Sequence, residues 1–335
     1  MNILKKIAFS CYEHNIELCL KINNESTKKI DKLIRLAICS PYILLRWGVH
    51  TVYETTLGRV SVSKFNMLDQ HKIFEDELTV VAIAKNEAPY IREWVAYHLS
   101  VGVSKIYIYD NESQDNLREV LDDFIKDGKV IYTYFPGKNM QMPAYNDAIG
   151  KYKFSSRYMA FIDCDEFLVA PNQMNLSNLV SSLLEKVPNA AGLGVNWCLY
   201  GSSGYEKKQP GILLETFLRR ADISAWPNFH VKTIVNPRLV KNYISPHFPV
   251  YVSGGWSIDS KCNRQHLWYN HSVDFDIIRC NHYFCKSREE FVMKRNRGMA
   301  DRQEKYDFTK FDEYDLNEVY DDTTLKYVDQ IKEMI

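Results

Sequence analysis

From residue 78 onward the hydrophobic positions arrive in two alternating rhythms. Residues 78–84 form an unbroken apolar, β-prone run, the pattern of a strand buried on both faces. After it, Asn86 stands as a candidate N-cap, Pro89 falls in the first turn, and Trp94, Val95, His98 and Leu99 recur at helical spacing. The rhythm then repeats. Residues 105–109 read as a strand, Ser113 or Asp115 offers a cap, and Leu117, Val120, Leu121 and Phe124 make the apolar stripe of a helix ended by Gly128. Residues 129–135 read as a third strand, 143–152 as a helix, and 158–162 as a fourth strand running straight into Asp163. This alternation predicts an α/β fold with a mostly parallel sheet flanked by helices and joined by right-handed crossovers.

Charge divides the rest of the chain. Residues 1–72 are helical in pattern and carry 11 Lys/Arg against 6 Asp/Glu, whereas residues 301–335 carry 5 against 11. The expected organisation is a helical N-terminal appendage over 1–72, an α/β domain over 73–300 and an acidic C-terminal tail or helix over 301–335. The appendage mixes Tyr42, Trp47, Leu and Ile with Lys and Arg, which suits a helix lying on anionic lipid and equally suits one packed on the core. Its most apolar stretch, 36–45, is bounded by Arg35 and Arg46 and contains Pro41, short of the roughly 18 residues needed to span a bilayer. Lys5 and Lys6 precede an apolar segment too short for a signal peptide. The expected location is cytoplasmic, with peripheral contact at the inner face of the membrane.

Composition removes whole classes of function. With 46% hydrophobic and 25% charged residues the chain reads as a folded, globular protein. The balance of 42 Lys/Arg and 42 Asp/Glu leaves no global positive field for nucleic acid. Eight cysteines without regular spacing read as reduced thiols. The oligomeric state has no signature.

The chemistry gathers where the strands end, which in an open α/β sheet is where ligands bind. The first strand empties into Lys85-Asn86-Glu87, the second into Asp110-Asn111-Glu112-Ser113, and the fourth into Asp163-Cys164-Asp165-Glu166. Carboxylates and amides on one edge suit a ribose, a uracil edge and a hard divalent cation. If the fourth strand stays extended through Asp163-Cys164-Asp165, both carboxylates share a face while Cys164 points to the core, and the pair can hold Mn²⁺ or Mg²⁺ against a diphosphate. An acidic surface turn is the plainer account of Asp-x-Asp. No glycine-rich phosphate loop follows the first strand, and neither Gly-x-Ser-x-Gly nor His-Glu-x-x-His occurs, which counts against dehydrogenases, P-loop kinases and common hydrolases. Cys280, His282 and Cys285, completed by Cys262 or His266, offer an alternative zinc set. A non-catalytic sugar-binding scaffold and a metal-dependent phosphoryl-transfer enzyme also fit these residues.

The ordered set Val81-Ala82-Ile83-Ala84-Lys85-Asn86-Glu87, Glu93-Trp94, Tyr97-His98, Gly102-Val103, Tyr107-Ile108-Tyr109-Asp110-Asn111, Ser113, Gln141, Ala144-Tyr145-Asn146-Asp147 and Asp163-Cys164-Asp165-Glu166-Phe167 resembles the GT-A glycosyltransferases. More narrowly it is similar to the family 92 and family 2-like group, continuing through Trp197, Tyr200-Gly201-Ser202-Ser203-Gly204, Glu215, Arg219-Arg220, Lys232-Thr233-Ile234-Val235 and Asn281-His282-Tyr283-Phe284. The likeness covers about residues 78–300.

The resemblance implies a UDP-hexose donor, Mn²⁺ or Mg²⁺, inversion at the anomeric carbon, and a glycan or lipid-linked glycan acceptor of the kind used in surface polysaccharide or lipopolysaccharide biosynthesis. By position Asp110 contacts the uracil or ribose, Asp163 the ribose or metal, Asp165 the metal, and His282 the metal or diphosphate. Lys85, Asn86, Glu87, Asn111, Gln141, Asn146 and Lys232 complete the expected nucleotide-sugar site. Inversion needs a carboxylate base. Glu215 and Asp259 are the candidates, with an ion pair to Arg219 or Arg220 as the other account of Glu215. Trp197 and Trp256 are candidates for stacking on sugar faces, or for burial. Ser287 and Glu290 form a capping box for a helix carrying Lys294, Arg295 and Arg297, either a charged flap over the diphosphate or a solvated face.

Overall fold

The computed structural model describes residues 59–173, 175–297 and 309–335. It opens with helix α1 (Arg59–Asp69), and the alternation read from residue 78 then appears as β1 (Asp76–Ala84), α2 (Ala88–Ser100), β2 (Lys105–Asp110), a 3₁₀ turn leading into α3 (Asp122–Lys126), β3 (Val130–Tyr134), α4 (Gln141–Tyr152) and β4 (Ser156–Phe161). β1 pairs in parallel with both β2 and β4, and β2 in parallel with β3. The spatial order β4-β1-β2-β3 therefore reverses between β1 and β4, and that reversal opens a crevice beyond their carboxyl ends. Residues Val80, Ala82, Ile106 and Ile108 are fully buried on one face, so the continuous apolar runs are explained by helices covering both sides of the sheet.

The second half folds differently. β5 (Glu166–Val169), α5 (Leu176–Glu185) and β6 (Ala190–Leu199) lead to short α6 (Leu213–Thr216), β7 (Arg219–Arg220) and β8 (Val231–Val235). β9 (Val240–Tyr243), β10 (Pro249–Tyr251), β11 (Trp256–Ile258), β12 (Arg264–Gln265) and β13 (Arg279–His282) follow. β8 inserts antiparallel between β4 and β6, whereas β6 takes β11 and β13 in parallel along its two ends. The sheet is mixed here, but β6 runs with β1 and β4. In α5 the side chains of Leu176, Leu179, Val180, Leu183 and Leu184 are buried, and Asn175 caps it by accepting from the Asn178 N–H at 2.9 Å.

The chain then forms α7 (Arg288–Arg297), α8 (Lys310–Tyr314), β14 (Val319–Tyr320) and α9 (Val328–Met334). Residues 309–335, set apart in sequence by their acidity, fold onto the same body. β14 pairs with β7, and Asp321 accepts from Arg220 Nε at 2.7 Å and from both Arg279 terminal nitrogens at 2.8 and 2.9 Å. Those guanidiniums hold the Asp321 carboxyl below its ordinary range against the effect of burial. Gly201 permits the close approach: a Cβ there would lie 2.6 Å from the Leu316 carbonyl oxygen. Residues 1–58 lie outside the described residues, and with them most of the appendage. Among the described residues no helix is long and apolar enough to cross a membrane.

Candidate functional site

The loops after β1 and β2 are tied to each other. Asn86 sits at a φ of +53°, so it turns the chain instead of capping α2, and its side-chain oxygen accepts from the Gln114 N–H at 2.6 Å. Its own N–H donates to Ser113 Oγ at 3.0 Å. Asp115 supplies the helix-start contacts, accepting from the Ala88 N–H at 2.9 Å and the Leu117 N–H at 3.2 Å. Asp110 is buried at the end of β2 and accepts from the Ser113 N–H at 2.9 Å and from the Tyr132 hydroxyl. Lys85 is half-buried and Glu87 buried beside this loop pair.

After β4 the chain turns where sequence spacing predicts an extended continuation. The Glu166 N–H bonds the Asp163 carbonyl at 3.0 Å while Glu166 Oε2 accepts the Asp163 N–H at 2.9 Å, closing the turn from both sides. Cys164 is buried as expected. The two aspartates have separate partners. Asp163 accepts from Gln141 Nε2 and Lys232 Nζ, each at 2.8 Å. Lys232 is 1% exposed and also lies 3.2 Å from Glu166 Oε2. Desolvation works against its charge, but Asp163 and Glu166 outweigh it and hold the ammonium well above its ordinary range, while burial pushes Glu166 up. Asp165 instead meets the Lys294 ammonium, with His282 Nε2 at 3.5 Å. Although burial disfavours its charge, Lys294, His282 and Lys286 hold the Asp165 carboxyl well below the carboxylate range.

Helix α7 delivers Lys294. The expected capping box is present: Ser287 Oγ accepts from the Glu290 N–H at 3.4 Å, and Glu290 Oε2 accepts from the Ser287 N–H at 3.2 Å. Tyr90 of α2 donates to the other Glu290 oxygen, which ties the start of α7 to the first βα unit. Lys286 is buried, at a φ of +51°, with its Nζ 3.7 Å from the Tyr90 ring centre. Desolvation lowers its pKa, opposed by Glu87 and Asp165.

The donors of Asp165 and His282 suit a divalent cation, because 3.5 Å between an oxygen and an imidazole nitrogen is about the separation of neighbouring ligands on one ion. Among the described residues, no three His, Cys, Asp or Glu side chains converge on a single metal position, so a cation held by Asp165 and His282 would need further ligands from outside these side chains. The zinc set does not assemble. Cys262 Sγ lies 4.0 Å from the Leu183 carbonyl, whereas Cys285 Sγ lies 3.9 Å from that of Phe311.

Several expected site residues serve the scaffold. Glu215 Oε1 accepts from the Ile212 N–H at 3.3 Å and Oε2 pairs with Lys332 at 2.6 Å, so it caps α6 and holds α9; Arg220 pairs with Asp321. Asp259 closes an Asx turn, accepting from the Lys261 and Asn263 N–H groups at 2.9 and 2.8 Å. Both carboxylates thus have structural partners within the chain. Asn146 stitches α4 to β9, donating to the Tyr243 carbonyl at 3.0 Å and accepting from its N–H at 2.7 Å. Asn111 Nδ2 donates to the carbonyls of Phe135 and Gly137 at 3.1 and 2.9 Å. Trp256 lies under Arg264 at the far end of the sheet, while Trp197 packs 4.3 Å from His282. Glu93, from the same ordered set, takes the Leu213 and Leu214 N–H groups at 2.7 and 2.8 Å, and burial still pushes its carboxyl up to about 7.

Sequence reasoning missed Lys286, Tyr132 and the pairing of Lys232 with Glu166. A lysine next to a Ser-x-x-Glu box was the one local signal for Lys286; the other two contacts bridge separate strands and leave none.

The geometry thus combines parallel strands, a crevice at their reversal and an acidic turn beside it, the arrangement that the GT-A resemblance implies. Residues 81–330 match glycosyltransferase family 92. A glycosyltransferase family 92 protein of Ricinus communis is 29% identical over 130 residues, covering 38% of this chain and 23% of the relative. One of Oryza sativa subsp. japonica is 30% identical over 131 residues, covering 39% and 22%. A galactan beta-1,4-galactosyltransferase of Arabidopsis thaliana is 30% identical over 105 residues, covering 28% and 20%. These matches span less than a quarter of each relative's length. Because the family match takes in three-quarters of the sequence and includes both the acidic turn and most of the C-terminal segment that pairs with β7, this chain belongs to glycosyltransferase family 92.

Proposed function

We propose that the chain transfers a hexosyl group from a UDP-sugar to a glycan acceptor, with inversion at the anomeric carbon. The observation that carries this reading is the acidic turn at the sheet's switch point, with Asp163 and Asp165 held by different partners and Asp110 at the same sheet edge, at the end of β2 on the far side of β1. Asp110 hydrogen-bonds the nucleoside, and Asp163, oriented by Gln141 and Lys232, accepts from a ribose hydroxyl. Lys294 and Lys286 supply positive charge where the diphosphate leaves, which lowers the barrier to its departure. When bound, Mn²⁺ or Mg²⁺ held by Asp165 and His282 adds Lewis-acid stabilisation of the same leaving charge. Hydrolases of the triad type are a poorer fit because their signatures are absent.

The test is a screen of UDP-hexoses for UDP release and transfer, with Mn²⁺ or with EDTA. UDP-galactose comes first, since one relative is a galactosyltransferase. Release restricted to one UDP-hexose and abolished by EDTA is expected; activity unchanged by EDTA overturns the metal role. Asp110→Ala should weaken UDP and UDP-sugar alike by about 1 to 3 kcal/mol, because the lost hydrogen bond serves the moiety they share. Titration calorimetry with both ligands measures this, and unchanged UDP binding removes Asp110 from the nucleoside site.

The acceptor on this reading is a surface glycan or lipid-linked glycan built at the cytoplasmic face, with the basic residues of 1–72 holding the enzyme on anionic lipid at about 1 kcal/mol per nearby cation. Flotation with anionic liposomes should show binding at low salt that high salt releases. Loss of salt dependence, or binding unaltered when residues 1–72 are deleted, sinks this account.

A further inference from the structure

A line of aromatic rings leads away from the acidic turn. The His282 ring lies 4.3 Å from Trp197, and Trp197 stacks on His230 at 4.8 Å and 25°. His230 in turn meets Trp226 at 5.6 Å and Tyr269 at 4.8 Å, and Trp226 meets Tyr314 of α8 at 5.3 Å. The inner end is buried, whereas Trp226 is 40% exposed. We infer that the open end of this strip, Trp226 backed by the packed rings of His230 and Trp197, is the docking surface for the acceptor, a neutral saccharide that lays the C–H face of one ring on the exposed Trp226 indole. The inference rests on the glycosyl-transfer reading and extends it to the second substrate.

Three physical features favour a neutral, hydroxylated ligand over an anionic or peptidic one. The strip's own rings carry no formal charge, since desolvation lowers the pKa of His230 and keeps its imidazole neutral. Its Nδ1 lies 3.1 Å from the Pro227 carbonyl, which can only accept, so Nδ1 carries the hydrogen and Nε2 keeps a lone pair suited to a sugar hydroxyl. The wall is also held in place beforehand. Asn196 Nδ2 donates to the Asn228 and Asn270 carbonyls at 2.9 and 3.0 Å, Asn270 Nδ2 returns a bond to Asn196 Oδ1 at 2.9 Å, and a β-bridge joins His230 to Tyr269. A preformed surface spares the ordering cost of binding. The inner end adjoins Asp165 through His282, so a saccharide on the strip presents its terminal residue toward the donor site.

Titration calorimetry of the full chain with UDP and separately with β-1,4-galactotetraose, cellotetraose and chitotetraose tests the assignment. Wild type is expected to bind at least one tetrasaccharide. Trp226→Ala should weaken that binding roughly tenfold or more, as loss of an aromatic anchor does, and Trp226→Phe should keep most of it. UDP affinity should change less than about twofold in both, because Trp226 lies at the outer end of the strip. Trp226 is exposed, so its truncation leaves the buried core intact, and far-UV circular dichroism checks the fold of both variants. Binding of no tetrasaccharide to a wild-type chain that binds UDP, or full saccharide affinity in Trp226→Ala, overturns the assignment. A chain that binds saccharide through Trp226 but fails to bind UDP loses the donor reading and keeps the strip, so the two failures are distinguishable.

Discussion

Asp165→Asn is expected to lower glycosyl transfer by roughly 10²- to 10³-fold, the scale on which removal of one preorganised charge at a reacting centre acts. The substitution keeps the volume of the side chain and leaves the backbone bond from the Tyr283 N–H to the Asp165 carbonyl, 2.9 Å, untouched. What it removes is the negative charge around which Lys294, Lys286 and His282 are arranged. Without that charge the cations repel one another and the position offered to a divalent ion loses its carboxylate donor. Transfer rates at varied Mn²⁺, read with the thermal midpoint, decide the matter. A variant that unfolds no earlier than wild type yet keeps activity within about threefold of it leaves Asp165 without the proposed role.

Lys232→Met is expected to cost about 3 to 5 kcal/mol of folding stability, the range found when one partner of a buried ion pair is removed. Lys232 is 1% exposed and bridges Asp163 and the fully buried Glu166, so methionine fills the space but strands the Glu166 carboxylate. Burial already raises the Glu166 pKa, and loss of the neighbouring ammonium raises it further. A carboxyl whose folded pKa exceeds its unfolded value binds its proton more tightly in the native state, so stability falls as pH rises through that interval. The deficit of Lys232→Met should therefore be larger at pH 8 than at pH 6, and Lys232→Met/Glu166→Gln should recover much of it. Chemical denaturation at both pH values measures this, and a deficit independent of pH would contradict the role given to Glu166.

The contrast between these two residues shows how the site divides. Asp165 is visible as part of an Asp-x-Asp after an apolar strand, because both acidic residues fall within one short turn and local spacing displays them. The partners of Lys232 are dispersed: β8 carries the lysine, while Asp163 and Glu166 belong to the turn that follows β4. Strand β8 meets β4 only because it inserts antiparallel beside it, and no local spacing encodes that register. Glu215 and Asp259 show the converse. Their residue type and position suit a base, and the structure adds partners that order along the chain does not reveal: the Ile212 N–H and Lys332 for Glu215, and the Lys261 and Asn263 N–H groups for Asp259.

Sequence alone determined the three βα repeats and the strand that follows them, the polar ends of those strands, the burial of Cys164 and the capping box of Ser287 and Glu290. These depend on interactions within a few residues and on apolar periodicity, which survive in a one-dimensional reading. Asn86 already departs from it, since the bond to Gln114 crosses from one loop to the next and favours a turn over a cap. Only the tertiary structure decided that residues 309–335 belong to the same body, through Asp321 on Arg220 and Arg279, and that Trp197, His230 and Trp226 line up beside His282. Apart from Trp226 and His230, which share one short turn, those residues are distant along the chain, and their pairing is set by which strands adjoin and how closely side chains pack, a property of the assembled sheet.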